Sequence, residues 1–203
     1  MCGLCGFTGS VEDRDLVLEN MTDVITHRGP DSMGYYKDDH ISMGFRRLSI
    51  IDLEQGHQPI YNEDKSLVLT FNGEIYNYQE LREELIQCGH RFYTKTDSEV
   101  LIHAFEEWGE KMLDRLRGMF GFAVYNTKDG SVFIARDFFG IKPMHYTVVD
   151  GELIYGSEIK SILEHPKYHK KFNYRALDNY LSFQYVVPPE TFFEGIYCLL
   201  PGH

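Results

Sequence analysis

Apolar and polar positions along this chain follow two periods. Gly3 to Thr8 is small and apolar, which suits a buried strand crowded by its neighbours. Ile41-Ser42-Met43-Gly44-Phe45-Arg46 alternates, as a half-buried strand does. Leu67 to Phe71 predicts another strand, ending abruptly at Asn72-Gly73, a turn signal. Met119 to Tyr125 and Val132 to Ala135 flank Asn126-Thr127-Lys128-Asp129-Gly130 and read as a hairpin with a longer loop. His145 to Val149 and Glu152 to Tyr155 complete the predicted strands.

Helical spacing interrupts these runs. Tyr78 to Cys88 carries Leu81, Leu85 and Cys88 on one face, with Gly89 where a C′ glycine belongs. Asp97 or Ser98 is placed to cap a helix whose buried face is Val100, Leu101, Ala104, Phe105 and Trp108, with Gly109 ending it. Glu158 to Leu163 and Arg175 to Phe183 read as further helices. Strands in hairpin order with helices between them predict antiparallel sheet covered by helices, an α+β fold. Pro188-Pro189 breaks the last helix, and the apolar pieces after it are too short for a second core.

Composition narrows the function classes. The 203 residues carry a formal net charge of −11 with Lys and Arg scattered, so a nucleic-acid partner is not expected. No apolar run reaches the roughly 18–20 residues needed to span a bilayer. There is no basic region followed by an apolar stretch at the N-terminus to read as a signal peptide. Four cysteines, Cys2, Cys5, Cys88 and Cys198, make a poor disulfide framework for this length. The expectation is a reduced, cytoplasmic, acidic, soluble protein.

Cys2-Gly3-Leu4-Cys5 raises a redox or metal reading, but its surroundings are strand-like rather than a helix start. Cys88 and Cys198 are isolated and the histidines show no ligand spacing, so no metal site is expected. An N-terminal nucleophile fits better. If Met1 is trimmed, Cys2 holds both a thiol and an α-amine, and that amine titrates at about 7.7–8.0, near working pH. An oxyanion formed by its attack needs fixed donors. The Asn72 amide and the Gly73 backbone N–H offer them, although Asn-Gly is equally a hairpin turn signal. Arg47 can grip a carboxylate with two parallel hydrogen bonds, while Arg46 should face the opposite way. Asp97 is either an N-cap or an anionic partner.

The set of motifs resembles the glutaminase domain of the glutamine-hydrolysing asparagine synthetase family, class II glutamine amidotransferases among the N-terminal-nucleophile hydrolases. The matching runs are Met1-Cys2-Gly3, His27-Arg28-Gly29-Pro30-Asp31, Arg47 to Asp52, Gly56-His57-Gln58-Pro59 and Asn72 to Asn77. They continue through Thr96 to Val100, Arg136-Asp137, Phe139 to Pro143 and Ser157 to Lys160, in family order over almost the whole chain. Phe138 and Met144-His145 depart from the usual pattern and bear on packing.

The resemblance implies a four-layer α/β/β/α sandwich of two antiparallel sheets. It implies Cys2 as nucleophile, Asn72 and Gly73 as the oxyanion hole, and Arg47 on the glutamine α-carboxylate. Asp97 and Glu74 would engage the α-ammonium, with backbone around Leu48, Ser49, Ile50 and Ile51 lining the pocket. His27 to Asp31 and Arg136 to Pro143 are expected to be structural turns and buried pairs. Residues 1–187 would be the glutaminase domain, and 188–203 a truncated linker towards an ATP-dependent synthetase domain. No Ser-Gly-Gly-x-Asp-Ser loop occurs, so ATP and magnesium are expected only in that other domain, and no cofactor in this one. The implied reaction is hydrolysis of L-glutamine to glutamate and ammonia through a Cys2 γ-glutamyl thioester, the ammonia serving asparagine synthesis. A relative with another acceptor, or a non-catalytic module keeping the fold, are the alternatives. The oligomeric state is not legible.

Overall fold

A computed structural model describes residues 1–48 and 56–203. The elements run β1 (Gly3–Thr8), α1 (Arg14–Asp23), β2 (Ser32–Lys37), β3 (Ile41–Arg47), β4 (Ile60–Tyr61), β5 (Leu67–Ile75), α2 (Tyr78–Cys88) and α3 (Asp97–Trp108). They continue with β6 (Gly118–Asn126), β7 (Val132–Arg136), β8 (His145–Val149), β9 (Glu152–Gly156), α4 (Ile159–Leu163), α5 (Tyr174–Phe183) and β10 (Tyr197–Cys198). Among these residues the strands form a six-stranded sheet, β10-β8-β9-β1-β3-β2, and a four-stranded sheet, β4-β5-β6-β7. The central pairs β1–β3, β1–β9 and β5–β6 are all antiparallel.

Period-2 alternation explains the layering, because each strand sends successive side chains to opposite faces. Leu4, Met43, Phe45, Val68, Ala123 and Tyr125 fill the space between the sheets. Cys5 and Phe7 instead pack against Leu18 and Met21 of α1 and Ile162 of α4. Leu69, Phe71 and Phe122 pack against Leu81 and Leu85 of α2 and Leu101 of α3. The order α2/α3, sheet, sheet, α1/α4 is the expected four-layer α/β/β/α sandwich. No helix among the described residues is long and apolar enough to cross a membrane.

Four details differ from the sequence reading. β5 does not stop at Asn72-Gly73 but runs to Ile75, with Asn72 opposite Gly121 and Gly73 opposite Phe120. An added Cβ at Gly73 would collide with the Met119 carbonyl and come 2.8 Å from Phe120 Cα, so the glycine serves close strand approach rather than a turn. The cap of α3 is Thr96, whose Oγ1 accepts the Glu99 N–H at 3.3 Å. Asp97 and Ser98 are already helical. α1 and β2 escaped the pattern. In α1 the exposed Leu16 blurs the stripe of Val17, Leu18 and Met21, and β2 is a half-exposed edge strand. Residues 188–203, expected as a linker, pack on the sandwich here. Ile196 is buried, β10 pairs with β8, and Leu199 N–H donates to the Met144 carbonyl at 2.9 Å.

Candidate active site

One cleft opens at the end of the sandwich where β1 begins and β3 and β5 end. It is lined by Cys2, Arg47, Leu48, Gly56, Gln58, Phe71, Gly73, Glu74, Thr96, Asp97 and Ser98. Strand parity delivers these groups. Cys2 shares the phase of Leu4, and Arg47 that of Met43 and Phe45, so both face the gap between the sheets. Arg46 faces outward as predicted: its Nε donates to the Thr22 carbonyl at 3.2 Å and its guanidinium pairs with Asp23. Arg47 is buried.

Cys2 is held from two sides. Leu48 N–H donates to Sγ at 3.4 Å, and the thiol lies 3.6 Å from the Leu48 carbonyl. Arg28 Nε donates to the Cys2 carbonyl at 2.9 Å while its Nη1 pairs with Glu158 Oε1 at 2.9 Å. Burial raises the Cys2 pKa, opposed by the Leu48 hydrogen bond and by nearby positive charges including Arg47 and Lys142. A thiol held in this protonated state needs a base to become a nucleophile.

β5 supplies the donors. Phe120 uses both backbone groups on its β7 side, N–H to Asp137 Oδ2 at 3.1 Å and carbonyl from Asp137 N–H at 2.8 Å. Gly73 and Phe120 are therefore a non-hydrogen-bonded pair, and the Gly73 N–H points away from β6, towards the cleft. The N–H groups on either side of it along that edge are already taken. Phe71 N–H goes to Gln58 Oε1 at 2.6 Å, and Ile75 N–H to Asp97 Oδ2 at 2.9 Å. Asn72 is buried in the same phase as Val68, and its Nδ2 has no hydrogen-bond partner among the described residues. A buried donor left open in this way is unusual, and suits a group that forms only during reaction.

Asp97, first residue of α3, is buried and its pKa is pushed up to about 6. Burial is the main cause and the Glu74 charge adds to it, while the Ile75 N–H opposes it. A cation entering beside Asp97 and Glu74 would relieve that cost.

Ser49, Ile50 and Ile51, expected to line the pocket, lie outside the described residues. Leu48 lines the cleft. Several residues here had no role in the sequence reading. Gln58 also donates Nε2 to the Phe71 carbonyl at 3.0 Å, acting as a one-residue strand against β5. Its family run held a signal but not this function. Arg28 was read as a buried pair, yet it also fixes the Cys2 backbone. Asp137 meets the structural expectation: it is fully buried and accepts from Phe120, Phe139, Ile141 and Lys142 N–H. Lys142 goes further than a turn residue, since its Nζ lies 3.3 Å from Met1 Sδ beside the N-terminus.

The family model described as a glutamine amidotransferase domain matches residues 1–203. The chain is 42% identical to asparagine synthetase (glutamine-hydrolysing) 1 of Bacillus subtilis, covering 98% of this chain and 33% of that protein. It is 44% identical to asparagine synthetase 2 of the same organism, covering 100% of this chain and 28% of that protein. It therefore spans about a third or less of these relatives. Among solved structures, the glutamine phosphoribosylpyrophosphate amidotransferase of B. subtilis overlays with TM-score 0.65 at 19% identity, over 79% of this chain and 43% of that one. A second, an allosteric regulatory enzyme of purine biosynthesis, gives TM-score 0.68 at 19% identity over 80% and 43%. These two are likenesses of fold. The match along its whole length shows that the chain belongs to the glutamine amidotransferase domain family.

Proposed function

We propose that this chain hydrolyses L-glutamine to glutamate and ammonia, with Cys2 as nucleophile. The observation that carries this reading is the meeting of a thiol, an arginine, two carboxylates and an inward-facing glycine N–H in one cleft. Arg47 takes the substrate α-carboxylate and Asp97 with Glu74 its α-ammonium, so the side-chain amide is presented to Cys2. With Met1 removed, the Cys2 α-amine accepts the thiol proton, and sulfur adds to the amide carbon. Asn72 Nδ2 and the Gly73 N–H receive the oxyanion. Collapse breaks the C–N bond, the protonated amine returns its proton to the departing nitrogen, and ammonia leaves. Water then adds to the γ-glutamyl thioester, glutamate departs and the thiol is restored.

None of these steps calls on a cofactor. In this reading ATP and magnesium belong to a synthetase domain that would use the ammonia, with asparagine as product, as the relatives' names indicate. The division into a glutaminase domain, 1–187, and a segment leading to that partner, 188–203, is part of the same proposal, as is a cytoplasmic setting. Cys2, Cys5, Cys88 and Cys198 are free thiols, which suits a reducing compartment. The test is a glutaminase assay on purified, Met1-processed protein together with mass spectrometry of quenched reactions. A γ-glutamyl adduct on the peptide containing Cys2 is expected. Turnover without any dependence on Cys2 would overturn the assignment.

A further inference from the structure

A second cluster lies along α3, outside the set of cleft-lining residues. Glu99, His103 and Glu106 recur at helical spacing on one face of that helix. Glu63, from the turn after β4, and His90, just past the C-cap of α2, converge on them. Ligand atoms from Glu63, His90, His103 and Glu106 all lie within 4.8 Å of one another.

His103 is the telling member. It is 0% exposed, and among the described residues neither ring nitrogen makes a hydrogen bond, although carboxylates approach both. Its Nδ1 is 3.2 Å from Glu63 Oε2 and 3.6 Å from Glu106 Oε2. His90 Nδ1 is 3.4 Å from Glu63 Oε1 and 3.7 Å from Glu106 Oε2. Donor atoms bound at about 2.0–2.1 Å to a tetrahedral ion stand about 3.3 Å from each other, so this cluster, whose ligand atoms lie within 4.8 Å, would have to contract modestly around an ion.

We propose that Glu63, His90, His103 and Glu106 bind a divalent cation of the zinc class, using two imidazole nitrogens and two carboxylates. Surrounding groups orient the ligands as outer partners of metal sites do. Glu63 Oε1 accepts the Arg91 N–H at 2.9 Å. The fully buried Glu99 carboxylate stands 3.7 Å behind His103 Nε2, close enough to accept its proton once the ring turns Nδ1 towards an ion. Glu107 lies 3.2 Å from His90 Nε2 and does the same for that ring. The ion would tie α3, which carries Asp97 at its start, to the β4–β5 turn and the segment after α2. The expectation of no metal site rested on ligand spacing along the chain. These ligands come from three separate segments, so no short motif announces them.

The test uses protein without a histidine tag, stripped with chelator and titrated with Co²⁺ and then Zn²⁺. One equivalent of Co²⁺ should bind with visible d–d bands, Zn²⁺ should displace it, and Zn²⁺ should raise the melting temperature. The double variant Glu63→Gln/Glu106→Gln, altered at the two half-exposed carboxylates rather than at the buried rings, should keep the metal-free melting temperature. It should lose affinity by roughly 100-fold or more, together with the Zn²⁺-dependent shift. Absence of stoichiometric binding to the wild type would overturn the proposal. So would unchanged affinity in the double variant.

Discussion

Cys2 and Cys5 stand on opposite faces of one sheet. Cys2 Sγ accepts from Leu48 N–H in the cleft between the sheets, and Cys5 Sγ lies 3.5 Å from Thr22 Oγ1 beneath α1. An odd separation along a strand dictates this, since side chains alternate with period 2. The two sulfurs therefore cannot act as a dithiol or chelate one ion.

Cys2→Ala should abolish glutaminase activity and leave the melting temperature near that of wild type. Cys5→Ala should retain most activity while losing about 1–2 kcal/mol of stability from the small void under α1. Assay and thermal melts on both variants check this. An equally inactive, well-folded Cys5→Ala protein would contradict it.

Arg47 and Asp97 divide the recognition of free glutamine by charge. Arg47→Ala should lower kcat/KM by about 2–5 kcal/mol in transition-state terms, because an ionic hydrogen bond loses its partner. Glutamine amidated at its α-carboxylate should be a poor substrate of the wild type and little worse for Arg47→Ala. Equal turnover of glutamine and its amide by wild type would remove Arg47 from this role.

Asp97 sets a pH dependence whose sign follows from its raised pKa. With the folded group at about 6, lowering pH through that value protonates the ammonium-binding carboxylate, and kcat/KM should fall. Stability moves the other way. The unfolded group ionises near 3.8, so the folded state binds the proton more tightly between 3.8 and about 6. The resulting cost is absent below that window and complete above it. Asp97→Asn keeps an oxygen for the Ile75 N–H. It should raise stability at pH 7 by on the order of 1–3 kcal/mol, with the gain shrinking towards pH 4. It should also abolish the inflexion in kcat/KM. Urea melts and rate profiles across pH 4–8 read both effects.

Met1 decides whether the base exists. Retained, it turns the Cys2 nitrogen into a peptide amide that accepts no proton at neutral pH. Met1 is 55% exposed, so an aminopeptidase can reach it. A homogeneous Met1-bearing sample should be inactive, and treatment with methionine aminopeptidase should switch it on. Intact mass and activity before and after treatment decide the point. Full activity with Met1 in place would contradict the N-terminal-nucleophile mechanism.

The sequence by itself determined the elements whose signals are local. Tyr78 to Cys88 with its glycine stop, the hairpin around Asn126 to Gly130, and the opposite facing of Arg46 and Arg47 all follow from spacing and turn chemistry. The family runs brought Cys2, Arg47, Gly73, Glu74 and Asp97 together on paper before the cleft did so in space. Tertiary structure decided what local rules left open. Asn72-Gly73 became strand because β6 pairs on one side and Gln58 and Asp97 occupy the flanking N–H groups on the other, outweighing the turn preference. Arg28 became a clamp on Cys2, and Lys142 reached the N-terminus, through folding contacts between segments distant in the chain. His103 carried no signal of its own along the chain, and only folding brings Glu63 and His90 against it. Alternation and helical period are set by backbone geometry within a few residues, whereas a site is a coincidence of side chains that only packing brings within a few ångströms.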